Sequence, residues 1–241
     1  MSSILPLLSE PQAWISLLTL SVLEIVLGID NIIFVAILAG RLPANRQATA
    51  RRLGLALALF MRLALLASLS WLVSLTAPVF AVYDHPFSWR DLILIGGGLF
   101  LLYKSTTEIH HRVEGVEEAG PAGGTASFGS TIVQIIMLDL VFSLDSVITA
   151  VGMVDELAIM ATAVIIAAVL MLVASGPLSA FVNRHPTVKM LALAFLLMIA
   201  LVLIADGFGV HVPKGYVYGA MGFSVAVEAL NLIASGRRKK K

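Results

Sequence analysis

The sequence predicts an all-α protein: a polytopic membrane bundle of seven transmembrane helices, N-terminus outside and C-terminus inside. Three observations predict it. First, 59% of the 241 residues are hydrophobic and only 13% charged, where soluble domains run nearer a quarter charged. Second, mean hydropathy is +0.97 and the apolar residues fall in long blocks. A chain in lipid must satisfy its backbone internally, so each block is expected to be a helix. Third, Lys and Arg are distributed unevenly between alternate connections.

The first span is read at 14–39. Met1 to Trp14 carries no Lys or Arg, so the basic start of a cleavable signal is missing and this span is expected to be retained. The second, 54–80, holds Arg62. Two readings stand for that residue: a side chain snorkelling to the interface, or a counter-ion for a membrane acid. The third span, 91–105, is short and contains Gly96-Gly97-Gly98. Consecutive glycines permit close helix approach, and that packing role is preferred over a functional break. Residues 106–130 hold Glu108, His110, His111, Arg112, Glu114, Glu117 and Glu118, followed by a Gly/Pro-rich run. They are read as a polar inside loop, mobile in its second part.

Spans four to six are read at 131–153, 157–181 and 188–206. Gln134 is expected to be helix–helix glue, and Asp206 a solvated boundary residue. The seventh, 216–235, carries Glu228 and Asn231, three apart and on one face. With the N-terminus outside, 13 Lys and Arg lie in the inside connections and tail, and only Arg90 and Lys214 outside. That bias sets the orientation. The chain is read as one membrane domain over 1–241. Residues 1–105 and 131–206 are two repeats, and 207–241 hold helix seven and a basic tail.

Net charge is +1, which predicts no nucleic-acid partner. Cysteine is absent, so disulfides, thiolate metal sites and dithiol redox chemistry are excluded. The expected partners are the lipid bilayer and a metal ion as substrate, with no prosthetic group. No oligomeric state is read.

Two near-copies of an acidic signature carry the functional reading. One runs Leu23-Glu24-Ile25-Val26-Leu27-Gly28-Ile29-Asp30-Asn31, the other Leu138-Asp139-Leu140-Val141-Phe142-Ser143-Leu144-Asp145-Ser146. They lie 115 residues apart, in spans one and four. Three spans separate them, so they are expected to cross the membrane in opposite directions, as in an inverted-topology repeat. A mid-bilayer carboxylate costs roughly 2.5–3.5 kcal/mol even on lenient scales, so four in matched positions imply use. Helical spacing puts Glu24, Gly28 and Asn31 on one stripe and Asp139, Ser143 and Ser146 on its equivalent. Asp30 and Asp145 fall about 100° off those stripes, and unwinding at Gly28 or Ser143 would align them. Carboxylates, an amide and hydroxyls are hard oxygen donors suited to Mg²⁺, Ca²⁺ or Mn²⁺. The five histidines lie in loops or at span ends, which disfavours zinc and copper. The candidate metal ligands are Glu24, Asp30, Asn31, Asp139, Asp145, Ser146 and Glu228, with Ser143 and Asn231 as further cavity groups and Arg62 as counter-ion.

At these signatures the chain resembles the TerC family of integral membrane proteins, within the LysE-type transporter superfamily. Arg51-Arg52-Leu53-Gly54-Leu55, His185 to Met190, His211 to Tyr216 and Val227-Glu228-Ala229-Leu230-Asn231 look similar too. The resemblance implies a seven-helix transporter fold in a bacterial inner membrane and a role in divalent metal homeostasis, with Mn²⁺ export the leading activity. It implies a metal site at Glu24, Asp30, Asn31, Asp139 and Asp145. Some relatives carry soluble C-terminal domains, and this chain is expected to be the membrane module alone.

Two rival functions follow from the same residues. Asp30 and Asp145 could share a proton and activate water, as in an intramembrane aspartyl hydrolase. That leaves Glu24 and Asp139 unexplained. Alternatively the chain is a non-transporting partner that helps metallate other proteins. The expected class is a transporter rather than an enzyme, with alternating access and proton exchange as the mechanism.

Overall fold

The computed structural model describes residues 10–68, 75–82, 85–114, 127–151 and 156–238. Within them, the side chains of residues 29, 30, 82, 85, 145, 148–151, 214 and 235–238 lie outside the described set. The described elements are α1 (Pro11–Gly40), α2 (Ala44–Ala67), β1 (Pro78–Val82), β2 (His85–Ser88), α3 (Trp89–Val113), α4 (Phe128–Val151), α5 (Leu157–Arg184), α6 (Pro186–Gly207) and α7 (Lys214–Arg238). Five of these helices (α1, α3, α5, α6 and α7) are long and apolar enough to cross a membrane. Helix α1 has 30 residues and reaches about 45 Å at 1.5 Å per residue. Phe60, Val173, Phe223 and Leu230 stand exposed, on a scale that suits lipid rather than water. The chain is an all-α polytopic membrane protein with one small hairpin.

Helix α2 carries Arg46, Arg51, Arg52 and Arg62, which interrupt its apolar run. In α4, Phe128–Leu144 is an apolar helical stretch among the described residues.

Two predicted boundaries are corrected. The second span, read to residue 80, ends its described helix at Ala67, and residues 78–82 form β1. A residue preceding proline avoids the α region, and Pro78 with Val79 and Phe80 suits a strand. Strands β1 and β2 pair antiparallel, and Phe80 stacks on Phe87 at 5.5 Å. Phe87 also meets Phe208 edge-on at 6.0 Å, so the hairpin covers the end of α6. The second correction concerns the polar loop 106–130. Its first eight residues are the last turns of α3, which runs to Val113. Glu108 is buried there and pairs with Arg41 and with Arg112 one turn on, the latter at 3.6 Å. A polar run remains helical when its charges pair. Residues 115–126 lie outside the described residues.

Helix starts follow local chemistry. Pro stands at the first turn of α1 and α6, where its missing N–H costs nothing. Ser88 and Asp91 form a reciprocal capping box at α3. At the end of α6, Gly209 has φ 76°, and the N–H of Val210 donates to Ala205 O at 2.9 Å. That left-handed residue turns the chain toward α7.

Glycines on α3 and α6 set a close helix contact. A Cβ on Gly98 would lie 2.8 Å from the Ala200 carbonyl oxygen, and one on Gly207 2.8 Å from that of Asp91. Helices α3 and α6 therefore pack antiparallel, backbone to backbone, and α3 stays continuous through Gly96–Gly98. The packing reading of the triplet holds. Gly98→Ala is expected to destabilise by about 1–3 kcal/mol, because neither backbone can yield. Gly96 meets nothing within 4 Å, so Gly96→Ala should stabilise by about 0.5–1 kcal/mol through helix propensity. Denaturant unfolding in detergent micelles would compare the two; equal effects would contradict the packing.

Helix directions follow from the same contacts. Gly28 faces Met171 and Gly40 faces Asn183, so α1 and α5 run parallel. Gly54 faces Ile135 and Arg62 reaches Asp139, so α2 and α4 run parallel as well. Helix α2 returns along α1 after a three-residue link, with Gln47 donating to Gly40 O and Leu42 O. Helices α1 and α4 thus run in opposite directions. Phe34, Leu55, Leu94, Leu138 and Leu193 share one core cluster across α1, α2, α3, α4 and α6.

Candidate metal centre

Both predicted stripes are buried and face each other. Glu24, Gly28 and Asn31 on α1 are buried, as are Asp139, Ser143 and Ser146 on α4. Arg62 projects from α2 between them. It is 4% exposed, Glu24 3% and Asp139 7%. The guanidinium does not snorkel. Its Nη1 donates to Glu24 Oε2 at 2.9 Å and its Nη2 to Asp139 Oδ1 at 2.6 Å. Its Nε lies 3.1 Å from both Asp139 oxygens. The planar fork lets one cation engage carboxylates from two helices at once.

Further donors complete the shell. Asn31 Nδ2 donates to Asp139 Oδ1 at 3.1 Å. Ser143 Oγ lies 2.5 Å from the Asp139 carbonyl oxygen and 3.1 Å from its Oδ2. One hydroxyl proton serves only one of these at a time. Ser146 Oγ donates to Ser143 O at 3.2 Å. Taking these charges out of water costs several kcal/mol each. Multiple charge-assisted hydrogen bonds offset it. The three charges sum to −1, so the cluster keeps a negative bias.

Helices α1 and α4 remain regular through Gly28 and Ser143, so the unwinding considered from sequence is not seen. Gly28 has a packing reason instead: a Cβ there would lie 2.5 Å from Met171 Sδ. Asp30 and Asp145 sit on the same two helices, but their side chains lie outside the described residues. Among the described residues, no three His, Asp or Glu side chains are close enough to hold a metal ion. Glu228 is half-buried and Asn231 exposed, on α7, which packs mainly along α6. No described hydrogen bond or ion pair links either of them to the Arg62 cluster.

Two cavities meet the cluster from different sides. The larger encloses about 650 Å³ of empty space, part of it open to the surroundings, and is lined by Leu27, Arg62, Phe142, Ser146, Asp206 and Tyr218 among others. The smaller, about 230 Å³, is lined by Asn31, Phe34, Leu55, Leu138 and Asp139 among others. Arg62 borders the first and Asp139 the second, so their ion pair lies between the two. Two acids that the sequence reading placed at the periphery are buried: Glu108 in its ion pairs and Asp206 in the larger cavity wall. Glu108 had a signal, the i,i+4 spacing to Arg112. Asp206 had none, because its burial comes from helices distant in sequence.

Comparison with known proteins agrees with this architecture. A family model described as "Integral membrane protein TerC family" matches residues 9–241. The UPF0053 inner membrane protein YgdQ of Escherichia coli (strain K12) is 55% identical over 233 residues, 97% of both chains. The UPF0053 inner membrane protein YoaE of the same strain is 58% identical over 228 residues, covering 94% of this chain and 44% of the relative. The UPF0053 protein YegH of that strain is 54% identical over 234 residues, again 44% of the relative. The chain therefore spans under half the length of YoaE and YegH and nearly all of YgdQ. No solved structure matches the chain. It is a multi-pass protein of the inner membrane and belongs to the TerC family of integral membrane proteins.

Proposed function

We propose that this protein transports a hard divalent metal ion, with Mn²⁺ export by alternating access the leading form. The observation that carries the reading is the buried Glu24–Arg62–Asp139 cluster, built by two oppositely directed signature helices and flanked by a cavity on either side. A static structural core has no need of three desolvated charges; apolar packing would serve as well. An exchangeable cation gives them a use. Arg62 occupies the acids when the metal is absent and leaves them when it arrives.

Asp30, Asn31, Asp145 and Ser146 complete the proposed ligand set. The four acids and Arg62 carry a formal −3, which a divalent ion reduces to −1. Parallel pairing of α1 with α5 and of α2 with α4 is what exchange of two inverted three-helix halves produces, and it supports an inverted repeat. Rocking of one half against the other would open the smaller cavity and close the larger. In the N-out, C-in orientation proposed from the Lys and Arg bias, the larger cavity faces outside. Release is proposed to be assisted by protons from that side. No separate catalytic role is proposed for the acids.

Uptake into inverted membrane vesicles tests the reading. With Mn²⁺, Mg²⁺, Ca²⁺ and Zn²⁺ compared, with and without a pH gradient, Mn²⁺ should accumulate above protein-free vesicles and zinc should not. Metal bound without net flux would favour a non-transporting metallation partner.

A further inference from the structure

We propose that Asp206 anchors a second site for a hard divalent cation, at the α6–α7 end of the larger cavity, outside the Arg62 cluster. Its part in transport rests on the function proposed above, whereas the binding itself does not.

Three independent facts point to it. First, Asp206 is only 7% exposed, and its Oδ1 has no hydrogen-bond partner among the described residues. His211 Nδ1 stands 3.2 Å away without hydrogen-bond geometry, on a side chain that is mostly exposed. A buried carboxylate oxygen without a donor is costly. Second, Asp206 occupies the last turn of α6, where the helix dipole presents its negative end. A cation there would meet both the carboxylate and the negative end of the helix. Third, the carboxylate lines the same cavity as Ser146 and Arg62. Ser146, assigned above to the central ligand set, and Arg62 mark the inner boundary, with the charge of Arg62 more than offset by Glu24 and Asp139.

Apart from Tyr218, the rest of the lining is apolar: Leu27, Phe142, Ile199, Val202, Leu203 and Val217. An ion in such a space has few places to rest. Asp206 at one end and the signature acids beyond Arg62 give two stations in sequence. A loosely held outer station lets an ion leave the centre without crossing the apolar stretch unaided, since conduction requires binding weak enough to release. His211 is the displaceable partner at the mouth.

The test is equilibrium Mn²⁺ binding to the purified protein, read from loss of the free Mn²⁺ paramagnetic resonance signal, beside Mn²⁺ uptake in vesicles. The wild type should bind one ion tightly and a second several-fold more weakly. Asp206→Asn should lose the weak ion, keep the tight one and raise the half-saturating Mn²⁺ concentration for uptake. Asp206→Glu should retain both ions. His211→Ala should tighten the weak site several-fold, because the carboxylate loses its competing partner. That variant keeps the proposal testable should Asp206→Asn fail to fold. Unchanged stoichiometry in Asp206→Asn, or an unchanged weak site in His211→Ala, would overturn it. Loss of flux with both ions still bound would instead count against transport and leave the site standing.

Discussion

Arg62→Ala is expected to destabilise the protein by about 3–5 kcal/mol, the range seen when one member of a buried charge network is removed. The substitution leaves Glu24 and Asp139 facing each other, buried, with no cation between them. Asn31 and Ser143 still donate to Asp139, but neutral donors do not replace a guanidinium. Arg62→Lys should lose less, because the charge remains and only the fork geometry goes. The combination Glu24→Gln, Arg62→Met, Asp139→Asn should recover most of the loss, because no uncompensated charge remains. Reversible unfolding in mixed micelles would rank the four proteins. An Arg62→Ala protein as stable as the wild type would mean that the cluster is solvated rather than buried.

Asp30→Asn and Asp145→Asn, each alone, are expected to reduce Mn²⁺ flux about tenfold or more, since each 1.4 kcal/mol of lost interaction is a factor of ten. Each substitution is near-isosteric and removes a single charge, so folding is expected to persist. Size-exclusion profiles and melting curves of the variants would verify it beside vesicle uptake. Flux unchanged in both variants would remove them from the transport path.

Much of this architecture was legible in the sequence, for identifiable reasons. Lipid forbids unpaired backbone, so long apolar blocks translate directly into helices; α1, α5, α6 and α7 fall close to their predicted spans. The facing stripes were legible because helical periodicity fixes which residues share a side: Asn31 and Ser143 meet Asp139 directly, and Glu24 joins them through Arg62. Arg62 was ambiguous. Snorkelling and ion pairing both fit a basic residue some way into a span, and only the approach of α4 decides between them. The end of span two misled because apolar residues suit strands and helices alike; Pro78 was the available signal, and it lay inside the window. The loop after span three misled for the opposite reason. Polarity was read as irregularity, whereas Glu108 finds Arg41 and Arg112 and α3 continues. Asp206 was hidden because its burial depends on elements distant in sequence that meet the end of α6, which no local pattern encodes.

The account stands on one cation centre shared by two oppositely running helices. The most direct measurement is the Mn²⁺ stoichiometry of the tight site in three proteins: wild type, Asp30→Asn and Asp145→Asn. A shared centre predicts one tightly bound ion per chain, lost when either half is altered. Retention of that ion in one variant, or two tight ions lost separately, would place the acids in independent sites and contradict it.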